Sequence, residues 1–151
     1  MELYSISAEQ SLLGCILLDQ ENTAATDEII TRLNVKDDFH DTGNKTIFWA
    51  IKDLFNKGKK IDFVTVVEAL SVANKLDAVG GLGYLNTIND AVPSVANYQD
   101  YLKIVLDLSA KRRMARCGEW LRKQAESGAA VEELIAGIGD VLSKLEMVNF
   151  T

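Results

Sequence analysis

The chain of 151 residues is poor in the residues on which many enzymes and metal sites depend. It has one proline, one histidine and two cysteines. So little proline favours helices, because proline interrupts the backbone hydrogen bonds of an α-helix. The lone His40 excludes a histidine-rich metal site and leaves almost nothing for a Ser-His-Asp triad. Cys15 and Cys117 are far apart and form no CxxC pair, so we expect two reduced cysteines in the core.

Long apolar runs and nucleotide-binding motifs are also missing. No run approaches the ~20 residues of a membrane span and no leader pattern is present, so we expect a cytoplasmic protein without membrane contact. Gly80-Gly81-Leu82-Gly83 lacks both the Lys-Ser/Thr ending of a P-loop and the spacing of a dinucleotide fingerprint. Asp37, Asp38 and Asp41 could form a metal cluster, although acids before a helix more commonly interact with its dipole. We therefore expect no catalytic, cofactor-binding or metal-binding residues in this chain.

Apolar residues recur at helical spacing in nearly every segment, which predicts an all-α fold. Residues 1–96 are expected to form a compact head of about six helices. Ser7-Ala8-Glu9-Gln10 has the pattern of a capping box and predicts that a helix begins with Ser7 as its cap. Asp62 is expected to cap a further helix. The side chains of that helix expected to point inward are Val64, Val67 and Leu70.

Residues 97–151 predict a long antiparallel helical hairpin. Two apolar stripes flank Ser127-Gly128, which has the composition of a turn, and the second stripe follows a heptad pattern. A hairpin at the end of a small head has too little protein around it to bury both stripes. We therefore expect both stripes to lie in an interface between subunits. The predicted interface residues are Met114, Cys117, Leu121, Val131, Leu134, Ile138, Val141, Leu145 and Val148.

The charge of the chain is unevenly distributed. The net charge is −6, and residues 1–100 hold 15 acids and 8 bases. An acidic protein is a poor ligand for nucleic acid, because affinity comes largely from neutralising phosphates. The exception is a basic cluster on the first hairpin helix, which is either a solvated helix face or a contact for DNA or an acidic protein surface. The cluster comprises Lys111, Arg112, Arg113, Arg116, Arg122 and Lys123.

Eight short segments, in this order and spacing, resemble the N-terminal domain of the DnaB-type replicative DNA helicases of bacteria and phages. The similarity covers almost the whole chain, including the hairpin. It departs from the family pattern at Asn44, where histidine is usual, and at His40, where tyrosine is common. The matching segments are Ser7 to Gly14, Leu17 to Asp19, Asp37 to Phe39, Ile47-Phe48, Ile61 to Thr65, Gly80-Gly81, Tyr84-Leu85 and Val92 to Asn97.

The resemblance implies that the parent protein is an ATP-dependent DNA helicase, with a linker and a RecA-like motor that uses ATP and Mg²⁺. It implies that hairpins pair between subunits and that the domains form a collar, a trimer of dimers. It also implies that the collar binds the C-terminal domain of primase, with a helicase loader as a further partner. Ser7 and Tyr84 are the candidate partner contacts, and ordinary core packing is the alternative for Tyr84.

Two other functions remain open from the sequence. One is a stand-alone adaptor or inhibitor that mimics the helicase collar. The other is a small nucleic-acid-binding protein that uses the basic helix over residues 111–123, against which the acidic total charge argues. Because the chain stops just after the heptad pattern, without a Walker A motif, we expect an excised N-terminal domain rather than a natural short protein.

Overall fold

The computed structural model describes residues 2–21 and 23–149, and of residues 146–149 it describes the backbone only. Within this part of the chain every regular element is a helix and no strand occurs, which confirms the predicted all-α fold. Six helices form the head, as predicted, and two form the hairpin. They are α1 (Ile6–Leu18), α2 (Ala24–Arg32), α3 (Thr42–Asn56), α4 (Phe63–Val72), α5 (Leu76–Val79), α6 (Gly81–Asn89), α7 (Tyr98–Glu126) and α8 (Val131–Asn149).

Helix α1 forms the centre of the head and packs against α2, α3, α6 and α7. Its Leu12, Leu13 and Ile16 are fully buried, and each contributes about 1.5–3 kcal/mol of hydrophobic stabilisation. Gly14 allows α6 to approach closely, because an added Cβ would lie 2.7 Å from the carbonyl oxygen of Ile88. The core of the head is therefore arranged around this one helix.

The start of α1 differs from the prediction. Its N-cap is Ser5, whose Oγ accepts a hydrogen bond from the amide of Ala8 at 3.1 Å. The predicted cap at Ser7 is wrong, since Ser7 lies exposed in the first turn and Ser5 already satisfies an amide that lacks an intrahelical partner. Gln10 does not turn back to Ser7, and its amide donates to the phenol oxygen of Tyr84 at 3.2 Å.

Helix α4 begins at the predicted cap but turns a different face inward. Asp62 accepts from the amide of Thr65 at 2.9 Å, and the Thr65 hydroxyl completes a capping box. Val66 and Leu70 are fully buried, whereas Val64 is 68% exposed. The expectation that Val64 points inward is therefore wrong, because a helix capped at Asp62 places Val64 on the outer side of its first turn.

The first half of α7 belongs to the head. Leu102, Val105 and Leu106 are part of the same apolar core as α1. The core therefore continues past residue 96, where the sequence analysis placed the end of the head. The reason is that α7 packs directly on α1 and so helps to bury its apolar side chains.

Candidate functional site

Helices α7 and α8 form the antiparallel hairpin that the sequence predicts. The two helices pack against each other. Helix α7 ends at Glu126, and Gly128 follows with φ of +84°. Glycine adopts this left-handed conformation without the strain that a side chain would introduce. The predicted turn at Ser127-Gly128 is therefore confirmed.

The two hairpin helices meet at Trp120, which remains 40% exposed. Its ring lies so close to Gly137 that an added Cβ would be 2.5 Å from it. Cys117 and Val141 line a groove beside this contact. Cys117 is half-buried there, so the expectation that both cysteines lie in the core is wrong for Cys117 and correct for Cys15, which is 1% exposed.

Much of the seam predicted for the subunit interface is partly covered within a single chain. Leu145 is 1% exposed, so its own chain already buries it. The side chain of Val148 lies outside the described residues. The half-buried members of the predicted seam are Cys117, Leu121, Leu134, Ile138 and Val141.

A second apolar stripe on α8 is left uncovered by α7. It consists of Val131, Ile135 and Leu142, which are 63%, 63% and 50% exposed, and we call it the hairpin stripe. Spacings of four and seven residues place the three side chains on one side of the helix. Met114 of α7 is also exposed, at 45%. The apolar face of α8 is thus wider than α7 can cover.

Of these exposed residues, Val131 and Met114 are among those predicted from the sequence, whereas Ile135 and Leu142 are not. The prediction followed one strict heptad seam, in which these two positions do not occur. A signal was present, because apolar residues four and eleven positions after Val131 extend the same helix face.

A buried ion pair joins the head to the hairpin. Asp38 is fully buried, and its carboxylate accepts hydrogen bonds from the amide of Asn34 and the hydroxyl of Ser109, both at 2.6 Å. The guanidinium of Arg113 donates to it at 3.1 Å. Because Ser109 and Arg113 are one turn apart on α7, Asp38 fixes the segment before α3 to the point where α7 leaves the head. We call these four residues, together with Arg112, the junction.

Arg112 contributes three hydrogen bonds to the junction. Its Nη1 donates to the carbonyl oxygen of Leu3 at 2.7 Å, and its Nη2 donates to those of Asp37 at 3.0 Å and Asp38 at 3.1 Å. Burial lowers the pKa of Arg112, but a guanidinium stays charged at any physiological pH. The guanidinium of Arg112 thus joins the N-terminal segment at Leu3 to the segment before α3 at Asp37 and Asp38.

Three of the four remaining members of the basic cluster lie near acids of the same chain, and the fourth, Lys111, is exposed. Arg116 lies 3.8 Å from Asp37, and Lys123 lies 3.9 Å from Glu119. Arg122 lies between Glu119 at 3.5 Å and Glu126 at 3.4 Å. Neither interpretation of this cluster from the sequence included the junction role of Arg112 and Arg113. A contact of these residues with DNA or an acidic partner stays a prediction.

The two candidate partner contacts lie in different environments. Ser7 is exposed on α1. Tyr84 is half-buried, and its hydroxyl donates to Oδ1 of Asn44 and accepts from Gln10. Burial raises the pKa of Tyr84, so the hydroxyl keeps its proton. Tyr84 thus has a packing role in the head, and its contact with a partner stays a prediction.

Sequence reasoning also missed the role of Glu9. This residue is 1% exposed, and its carboxylate accepts from the amides of His40 and Asp41 at 2.8 and 3.2 Å and from the side chain of Asn44 at 3.1 Å. It therefore links α1 to the beginning of α3. No local pattern indicates this role, because the partners lie more than thirty residues away along the chain.

Two further properties concern metals and membranes. Among the described residues, no three or more His, Cys, Asp or Glu side chains are grouped so that they could hold a metal ion. None of the described helices is long and apolar enough to cross a membrane.

Comparison with known sequences identifies related proteins. The family described as the DnaB-like helicase N terminal domain matches residues 1–107. The replicative DNA helicase DnaB of Geobacillus stearothermophilus is 36% identical over 112 residues, which cover 74% of this chain and 24% of that protein. The replicative DNA helicase DnaC of Bacillus subtilis (strain 168) is 33% identical over 142 residues, 94% of this chain and 29% of that protein. The chain thus spans less than a third of these relatives.

Solved structures share the fold. The N-terminal domain of the DnaB helicase from Mycobacterium tuberculosis superimposes with a TM-score of 0.82 at 32% identity, over 93% of this chain and 99% of that chain. A DnaB-like replicative helicase, described together with its interactions with primase, has a TM-score of 0.74 at 24% identity over 91% of this chain and 31% of that chain. Since the family match covers more than two thirds of the sequence, the chain belongs to the DnaB-like helicase N-terminal domain family.

Proposed function

We propose that this chain is the N-terminal collar domain of a hexameric replicative DNA helicase, with two tasks. It pairs helicase subunits through its hairpin, and it binds primase. The observation that carries the first task is the hairpin stripe, whose three aliphatic side chains are 50–63% exposed. Large exposed apolar side chains on one face of a helix are typical of a surface that another protein covers.

A second copy of the chain is the partner proposed for this stripe. In a two-fold arrangement the same surface is used on both subunits, so both stripes become covered at once. Burying each side chain contributes about 1.5–3 kcal/mol before the costs of association are subtracted. Gly139 follows Ile135 by one turn, and an added Cβ there would meet no atom of the described residues within 4 Å. Its small size lets a partner helix approach closely.

The test replaces Ile135 and Leu142 together by aspartate. We expect a folded monomer, measured by circular dichroism and multi-angle light scattering, where the unchanged chain forms a dimer or a larger assembly. Val72→Asp is the matched control, because Val72 is 80% exposed on α4 of the head and should keep the original mass. An unchanged mass of the double variant would place the interface elsewhere.

Substitutions at Ile138 and Val141 would not separate the loss of a subunit interface from damage to the hairpin of a single chain. Both side chains are half-buried, and Val141 lines the groove between α7 and α8. A charge there would disturb the hairpin itself as well as any interface.

The second task, binding of the primase C-terminal domain, is supported by family membership and by the related helicase described with primase. The head and the base of the hairpin are the proposed contact, with Ser7 as the exposed candidate and Tyr84 as the half-buried one. The excess of acids over bases in residues 1–100 would steer a basic partner towards the head. A helicase loader is a second candidate partner.

Calorimetric titration with the C-terminal domain of the cognate primase tests this task. We expect binding by the unchanged chain and weaker binding by Ser7→Arg. Ser71→Arg, an exposed serine on α4, is the control that should bind normally. No binding at high micromolar concentration, with self-association intact, would leave subunit pairing as the only task.

We also propose that this chain has no catalytic activity of its own and acts in the cytoplasm. It spans 24–29% of its replicative helicase relatives, so the use of ATP and Mg²⁺ is assigned to the remaining part of such a protein. ATP turnover that co-purifies with this chain through several columns would contradict the proposal.

A further inference from the structure

A series of hydrogen-bonded side chains runs through the head from α6 to the segment before α3. The hydroxyl of Tyr84 donates to Oδ1 of Asn44, whose Nδ2 donates to Oε1 of Glu9 at 3.1 Å. The carboxylate of Glu9 accepts from the backbone amides of His40 and Asp41 at 2.8 and 3.2 Å. We call Tyr84, Asn44 and Glu9 the polar relay. It begins at a half-buried residue and ends in the core of the head.

Each bond of the polar relay fixes the orientation of the next group. An amide side chain has one acceptor end and one donor end. Because the hydroxyl of Tyr84 donates to Oδ1 of Asn44, the donor end of that amide faces Glu9. The opposite orientation would place Oδ1 against a carboxylate, and both groups are acceptors. Asn44 and Glu9 are 0% and 1% exposed, so the loss of one bond leaves a buried group without its partner and favours rearrangement of the next one.

The polar relay and the junction hold the same four residues, 38–41. The carboxylate of Asp38 is bonded to α7, and two amides at the other end of this segment are bonded to Glu9. Phe39 between them is 1% exposed, and its ring centre lies 4.9 Å from that of Phe48. A closely packed segment has little freedom to absorb a displacement at one end. A displacement of Glu9 therefore also displaces Asp38.

Two arginines of α7 depend on the position of this segment. Nη2 of Arg112 donates to the carbonyl oxygens of Asp37 and Asp38. Nη2 of Arg113 donates to the carboxylate of Asp38. Both arginines belong to the turn of α7 at which the hairpin leaves the head. A shift of the segment thus changes the contacts that orient the hairpin.

We propose that the polar relay couples the surface of α6 to the direction in which the hairpin leaves the head. A group that competes for the hydroxyl of Tyr84, or displaces its side chain, releases Asn44 and Glu9, and residues 38–41 then shift against α7. Hydrogen-bond networks between rigid elements carry this kind of energetic coupling. The coupling lies within one chain, so it depends neither on the identity of a partner nor on the proposed pairing of subunits.

A double-mutant cycle measures the coupling. Tyr84→Phe removes the hydroxyl at one end, and Ser109→Ala removes a donor to Asp38 at the other. Among the described residues these two side chains share no hydrogen-bond partner. The effects of independent substitutions on the equilibrium constant of unfolding multiply to within about twofold. We expect the double variant to lose less than this product by at least about threefold, as measured by urea denaturation at one low protein concentration.

Tyr98→Phe is the matched control. Tyr98 is half-buried like Tyr84, but its hydroxyl donates to Oε1 of Glu28 at 3.0 Å and not to the polar relay. Combined with Ser109→Ala, it should follow the product of the single effects to within about twofold. The difference between the two cycles separates the coupling from a general loosening of the head.

A second measurement observes the arginines directly. The side-chain Nε–H groups of Arg112 and Arg113 each give a signal in a proton–nitrogen correlation spectrum of the full chain. We expect Tyr84→Phe to shift both signals, because residues 38–41 move against the two guanidinium groups. Tyr98→Phe should leave both signals in place.

Either of two results would overturn the proposal. The first is a cycle of Tyr84→Phe with Ser109→Ala that follows the product of the single effects as closely as the control cycle does. The second is a spectrum in which Tyr84→Phe shifts the two arginine signals no more than Tyr98→Phe does. Each would show that the polar relay stabilises the head without influencing the hairpin.

Discussion

Single residues decide how the hairpin is attached to the head. Asp38, Ser109 and Arg113 form a buried polar cluster at the junction, and Arg112 adds three bonds to backbone carbonyls. Burying a carboxylate is costly unless a charge and hydrogen bonds compensate it, and here both are present. The junction therefore sets the direction in which α7 leaves the head.

Removal of the charge of Asp38 should strongly destabilise the chain. Asp38→Asn leaves the guanidinium of Arg113, whose side chain is 18% exposed, without its counter-charge. Breaking a buried ion pair from one side costs about 3–5 kcal/mol of the free energy of unfolding, which urea denaturation measures. Asp37→Asn is the control, because its carboxylate lies 3.8 Å from the exposed Arg116 and such pairs contribute less than about 1 kcal/mol. An equal loss of unfolding free energy in the two variants would show that the buried pair stabilises the chain no more than the exposed one.

The two cysteines should differ in reactivity. Cys15 is 1% exposed, and burial, with a smaller contribution from the charge of Asp19, raises its pKa to about 11. Since the thiolate is the reactive form, a thiol reagent at pH 8 should modify Cys117 in the folded chain and both cysteines after unfolding. Rapid modification of Cys15 in the native state would contradict this burial.

The raised pKa of Cys15 also predicts a pH dependence of stability. An unfolded cysteine ionises at a pKa of about 8.5, below its folded value of about 11. The unfolded state therefore loses this proton first, and the contribution to stability declines as the pH rises from the unfolded towards the folded pKa. Cys15→Ala should remove this part of the alkaline destabilisation.

At the scale of elements, the glycines of α8 show how the hairpin is assembled. A glycine within a helix costs up to about 1 kcal/mol relative to alanine, so Gly137 and Gly139 need a packing reason. Gly137 has one in the ring of Trp120. An added Cβ at Gly139 would meet none of the described residues within 4 Å, which agrees with the proposed approach of a second hairpin.

Alanine at these two glycines should have opposite effects on a monomeric chain. Gly137→Ala places a Cβ 2.5 Å from the ring of Trp120 and should destabilise the hairpin by about 1–3 kcal/mol, as overpacking does. Gly139→Ala is the matched control and should stabilise α8 by about 0.5–1 kcal/mol through helix propensity. Thermal unfolding at low protein concentration and hydrogen exchange in α8 measure both. Destabilisation by both variants would mean that Trp120 does not determine the contact.

At the scale of the whole molecule, the head and the hairpin share α7. Its first turns supply Leu102, Val105 and Leu106 to the core of the head, and its next turns supply Ser109 and Arg113 to the junction. The rest of α7 pairs with α8. A movement of the hairpin as a rigid body would therefore have to break the junction or bend α7.

Truncated fragments test whether the head needs the first turns of α7 in order to fold. A fragment ending at residue 96 lacks Leu102, Val105 and Leu106, and we expect it to lack cooperative unfolding. A fragment of residues 1–117 keeps these three side chains and the junction, and we expect it to fold without the exposed hairpin stripe. Circular dichroism and the dispersion of amide NMR signals compare the two fragments. A well-folded fragment 1–96 would show that the head is complete without α7.

Local signals in the sequence determined the helices and their order. Apolar periodicity, the cap at Asp62 and the turn at Gly128 each act over a few residues, so a sequence pattern can show them. The family resemblance also rested on short segments in a fixed order. These signals located the hairpin correctly and indicated that part of it would stay uncovered.

Tertiary structure alone decided which apolar side chains α7 covers and which polar groups meet. Asp38 and Arg113 are 75 residues apart in the chain, so nothing local links them. The heptad pattern predicted an open seam that contains Val141 and omits Ile135, whereas Val141 is half-buried and Ile135 is exposed, because the apolar face of α8 is wider than one seam. The side that remains open depends on where Trp120 contacts Gly137, a contact that exists only when both helices are in place.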